Sequence, residues 1–168
     1  MKKLTISVVA VAALFIGVSV SFAIHRAVQA ETEAFDPTAT GDTVFTHISV
    51  TDEYWKWDLW PGTKKYSTGD SSHGESYIIR VNEVAKASIK KGGSMTDGAM
   101  IVMENFSRNK ILSDITVMYK KGGFNPAAGD WFWAKYGPTG NTMEEGRIAS
   151  CVSCHAKGKD YVIAPVVK

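Results

Sequence analysis

Apolar residues run almost unbroken from Ile6 to Ile24, nineteen positions behind Lys2 and Lys3. That flank and the small residues of Val28-Gln29-Ala30 read as an export signal over residues 1–30, cut before Glu31. Ser21-Phe22-Ala23 is a second cleavage position, and the run is long enough to anchor the chain in a bilayer if it stays uncut. Either way the leading lysines place the remainder outside the cytoplasm. Residues 31–42, with Pro37, Thr38, Thr40 and Gly41, show no periodicity and have the composition of a linker, so the folded domain is expected over 43–168.

Within that domain, Tyr54, Trp55, Trp57, Leu59 and Trp60 crowd the segment Thr51 to Trp60 ahead of Pro61-Gly62, which suggests a short helix broken by the proline. Most of these aromatics read as core, while some are suited to pack on a large flat cofactor. Lys64 to Glu75 is a polar loop. Tyr77 to Val81 has strand composition, and Asn82 caps a predicted helix, Glu83 to Lys91, that ends on basic residues and Gly92-Gly93. Ala99 to Phe106, Asp114 to Lys120 and Trp131 to Tyr136 are three further strand-length runs separated by short polar or Gly/Pro turns, which imply antiparallel hairpins. Trp131 and Trp133 alternate with Phe132, so the last strand should bury both of its faces. The fold class is α+β: mainly antiparallel sheet with a few short helices.

At 168 residues, with 45% hydrophobic and 21% charged positions, the chain is one ordinary globular domain by composition. Removing Lys2, Lys3 and Arg26 leaves 16 basic residues against 17 acidic, which excludes the basic footprint of a nucleic-acid binder. Two cysteines cannot staple a domain of this size.

Those cysteines stand in Cys151-Val152-Ser153-Cys154-His155, the attachment signature of c-type haem. Two thiols form thioethers to the haem vinyl groups, and the adjacent imidazole is placed to take the iron as proximal ligand. No second cysteine pair completes a zinc ribbon, and no βαβ pattern supports a thioredoxin-like motif. No methionine follows His155, so any sixth ligand comes from upstream, where His47, His73, Met95, Met100, Met103, Met118 and Met143 are available. The strand-like segments do not supply the four long helices of a bundle cytochrome. The haem is therefore expected against a β-sheet, held by a C-terminal segment.

His73-Gly74, Arg80-Val81-Asn82, the run from Asp97 to Asn105, Ile115 to Lys120 and Gly129-Asp130-Trp131-Phe132-Trp133-Ala134-Lys135-Tyr136-Gly137, followed by the haem motif, together resemble the cytochrome P-460 family, which includes the β-sheet cytochromes c-prime. The resemblance spans roughly Trp55 to Ile163. It implies a periplasmic monohaem protein, commonly a homodimer, that either oxidises hydroxylamine or binds a small gas such as nitric oxide, with a redox protein as the other class of partner. Oxidising members carry a haem-linked lysine within Asp-Gly-X-X-X-Val-Lys-Glu; here that position is Met103, whose thioether cannot form the same nitrogen-to-carbon bond. Met118 aligns where an oxidising member has a distal carboxylate. Both departures favour gas binding or electron transfer over enzymatic chemistry.

The resemblance also sets His73 near the position from which relatives cap the open haem face, as a sixth ligand or a hydrogen-bond donor to a bound diatomic; by itself it reads as a solvated loop histidine. Met103 and Met118 are the next distal candidates, each suited equally to plain core packing. Arg80 and Arg108 have the chemistry to pair with haem propionates. The expected cofactor-binding set is thus Cys151, Cys154, His155, His73, Met103 and Met118, around one covalently bound haem c.

Overall fold

The computed structural model describes residues 40–71 and 73–165. The expected signal and residues 31–39 of the expected linker lie outside them. Among the described residues no helix is long and apolar enough to cross a membrane.

The first element, α1 (Gly41–Thr46), opens just inside the stretch read as linker, capped by Thr40, whose hydroxyl accepts from the Thr43 amide. It runs on into a π-helical turn, His47–Thr51. The helix expected over Thr51 to Trp60 does not form. A single 3₁₀ turn, Tyr54–Lys56, is followed by a two-residue strand, β1 (Asp58–Leu59), that pairs with β3 (Gly74–Val81). Bulky aromatics fit extended backbone as well as helix, and partners on β3 decide between them. The polar segment read as loop contributes β2 (Ser67–Ser71), which pairs with the other end of β3. Helix α2 (Glu83–Lys91) forms as its caps dictate: Asn82 Oδ1 accepts from the Ala85 amide, and Gly92 closes the helix at φ +65°.

Strands β4 (Met100–Phe106), β5 (Leu112–Lys120) and β6 (Trp131–Tyr136) match the three predicted runs closely, and β7 (Thr142–Gly146) adds a polar edge. All seven form one antiparallel sheet in the order β1-β3-β4-β5-β6-β7, with β2 also on β3. The architecture is α+β, as the sequence predicts.

Alternation gives this sheet two buried faces. Met100, Val102, Val117, Tyr119, Phe132 and Tyr136 pack one face against Val44, Ile48, Tyr54 and Trp57. On the opposite face Ile79, Ile101, Met118, Trp131 and Trp133 meet Trp60, Ala85 and the last helix, α3 (Ala149–His155). The site lies on this second face.

Candidate functional site

Sheet register assembles the floor of the site. One row runs straight across five strands: Ile79 opposite Met103, Met103 opposite Thr116, Thr116 opposite Lys135, and Lys135 opposite Glu144. The next row on the same face contains Ile101, Met118 and Trp133. Both rows line a cavity of about 320 Å³, within the size range of small-molecule and cofactor sites. Trp60 and Ile148 add apolar wall, and Cys151, Cys154, His155 and His73 border the same space.

Helix α3 brings three donors together because Cys151, Cys154 and His155 lie within one turn, at i, i+3 and i+4. Both thiols are free, and Cys154 is exposed. Burial pushes the Cys151 thiol upward from its usual range, with a smaller opposing effect from Ser150. Among the described residues no three His, Cys, Asp or Glu side chains converge as a metal-binding group.

His155 is held from behind. Its Nδ1 donates to the Tyr161 carbonyl at 2.9 Å; a carbonyl only accepts, so Nδ1 carries the proton and Nε2 keeps a free lone pair. Trp133 packs against the ring at a steep angle, 64° between planes, with centroids 4.7 Å apart. Burial lowers the His155 pKa and the carbonyl bond partly offsets it, which favours the neutral form that coordinates metal.

The backbone that presents the Tyr161 carbonyl is strained. Asp160 and Tyr161 both take positive φ, 52° and 61°, a conformation costly for residues with a side chain and worst for bulky ones. Asp160 locks it in place: its carboxylate accepts from Lys120 Nζ at 2.6 Å and from the Met95 amide at 2.8 Å, and its carbonyl accepts from Trp131 Nε1 at 2.7 Å. Gly158 completes the turn, since a Cβ there would collide with the Val162 carbonyl. Nothing local to Asp160, Lys120 or Tyr161 signals this supporting role; their arrangement exists only after β5 and β6 have paired.

His73, half-buried, stands just ahead of Gly74, whose φ of +103° and close approach to the Phe106 carbonyl, 2.9 Å from where a Cβ would sit, leave no room for a side chain. Gly74 thus seats the start of β3 against β4, and the His73 ring lies 6.1 Å from that of His155. Burial is the main cause of its lowered pKa, followed by the neighbouring His155; Asp114 acts in the opposite direction. The solvated-loop reading of His73 is thereby corrected.

Met103 and Met118 both line the cavity, whereas Met100 packs on the far face, Met95 is core and Met143 is exposed. Trp60 is the aromatic of the early cluster that faces the site. Neither arginine does: Arg80 donates to the Trp57 carbonyl at 3.0 Å, and Arg108 pairs with Glu75. Lys135, whose Nζ is 3.6 Å from Asp114 Oδ2, puts a cation at the cavity instead. Asp114 also accepts from buried Asn105 at 2.7 Å, so a carboxylate does stand near the site although Met118 replaces the expected one.

Two thiols and an imidazole with a preset tautomer, at the edge of an apolar cavity, suit a haem attached through its vinyl groups. Trp133 Nε1 is buried without an acceptor among the described residues, on a side chain that lines this cavity. Residues 51–164 match the family described as cytochrome P460. The chain belongs to the cytochrome P460 family. Membership makes it a haem-binding cytochrome, with iron as its metal. A comparison with curated proteins finds no match.

Proposed function

We propose that this cytochrome P460 protein is an exported, periplasmic monohaem c-type cytochrome that works in electron transfer or reversible binding of a small gas such as nitric oxide, rather than in turnover of a substrate. Cys151 and Cys154 hold the haem through thioethers, and His155 is the proximal ligand. Family membership supports a homodimer, and the partner is a redox protein or a gas.

One observation carries the choice of class: Met103, not a lysine, stands in the floor row between Ile79 and Thr116. Without a bond from that strand the ring keeps ordinary haem c electronics, and the bound group supplies one-electron or gas-binding chemistry. The chain's own part is to orient it. Trp60, Ile101 and Trp133 exclude water from one side, and the Tyr161 carbonyl directs His155 Nε2 away from itself.

The hydroxylamine-oxidising alternative draws support from Lys135, two strands from Met103 in the same row and at the cavity edge. Mass spectrometry of the haem peptide separates the readings. The expected product is the α3 peptide carrying one unmodified haem; a β6 peptide bound to the ring through Lys135, with hydroxylamine-dependent reduction of an electron acceptor, would establish the enzyme instead.

A further inference from the structure

We infer that His73 is the sixth ligand of the iron, so that the resting centre is a bis-imidazole haem whose gas reactivity is set by release of the β2–β3 hairpin residue. This rests on the haem c reading above. An imidazole nitrogen sits about 2.0 Å from a bound first-row metal and roughly 1.2 Å from its own ring centre, so two imidazoles on opposite sides of one iron place their centres about 6.4 Å apart. His73 and His155 are 6.1 Å apart.

A direct edge-to-face contact between the rings also falls within that range. The surroundings favour a shared metal. Both rings border one cavity together with the two thiols, and the His155 nitrogen nearest its backbone is already committed to Tyr161, which leaves Nε2 for iron. Gly74 lies close to the Phe106 carbonyl, so the backbone that directly follows His73 is tied to β4. Met103 and Met118 share the cavity, but they come from the sheet floor, within rows that also supply its apolar surface. Two neutral imidazoles fill the coordination sphere, which suits electron transfer and obliges a gas to displace one of them.

The ring planes lie 74° apart. Near-perpendicular axial imidazoles leave two iron d orbitals almost degenerate, which gives a ferric low-spin electron paramagnetic resonance signal with one very large g value rather than the rhombic signal of parallel rings. Holoprotein is first checked by pyridine haemochrome. A spectrum lacking haem c there refutes the underlying reading and with it the ligand assignment.

With haem c present, wild type should show the highly anisotropic low-spin signal. His73→Ala should convert to high-spin, return to low-spin on addition of imidazole, and bind carbon monoxide about tenfold or more faster, since the open fraction scales the apparent binding. Met103→Leu should leave the signal unchanged. A high-spin wild type overturns the inference, as does low-spin character that survives in His73→Ala or is lost in Met103→Leu. If His73→Ala yields no holoprotein, His73→Gly with imidazole in the growth medium and purification buffers is read by the same criteria. Failure of that variant to become high-spin when imidazole is removed counts against His73.

Discussion

A protein carrying Cys151→Ala and Cys154→Ala should lose all of its haem to acidified acetone, or fail to accumulate as holoprotein at all. The reason is chemical. Thioether bonds survive acid and organic solvent, whereas coordination by His155 does not, because acid protonates the imidazole that must be neutral to bind metal. The helix supplies no other thiol, and both thiols border the cavity. Each single variant should retain haem through one bond. Haem that resists extraction from the double variant would refute the attachment sites.

Asp160→Ala is expected to cost the holoprotein about 3 kcal/mol or more, the size seen when one member of a buried ion pair is removed. Asp160 and Lys120 are each nearly buried, at 11% and 13% side-chain exposure, so the variant strands a lysine away from water and leaves the Met95 amide without its acceptor. Alanine at φ +52° adds strain. In a domain of this size the loss corresponds to a fall in Tm of about 10 °C. In the proposed centre Asp160 would act on iron only through the Tyr161 carbonyl and His155, so the same variant should shift the haem potential upward as the proximal imidazole loses its hydrogen bond and donates less strongly. Asp160→Asn, which keeps an acceptor and tolerates left-handed backbone, should restore most of the potential while recovering less of the stability. Urea unfolding and redox titration check the two effects separately; an unaltered potential in Asp160→Ala would assign Asp160 a purely structural role.

Local chemistry alone determined much of this protein. Asn82 and Gly92 delimit α2 because caps satisfy orphan backbone groups wherever the helix goes; alternation in Trp131 to Tyr136 announced a strand buried on both faces; and Cys151, Cys154 and His155 stand out because the proposed covalent attachment beside a ligand would need those residue types at that spacing. The early helices were harder to read. Thr40 is an ordinary cap, but Val44 and Ile48 are too few to show a period, and the extended backbone of Asp58–Leu59 is imposed by β3. β7 exposes Met143, Glu144 and Glu145 and forms because β6 offers it an edge.

The site depended most on tertiary structure. Residue type named seven upstream candidates and the family resemblance singled out His73, Met103 and Met118, yet whether a histidine in a polar loop faces solvent or a cavity is settled by hairpin register and by Gly74 against β4. Lys135, Asp114 and Glu144 joined the site through strand pairing, which brings together residues distant in the chain and carries no local signature. The support of His155 by Asp160 and Lys120 is of the same kind: a strained turn looks unfavourable read along the chain, and only the ion pair and hydrogen bonds assembled by β5, β6 and the C-terminal segment make it stable.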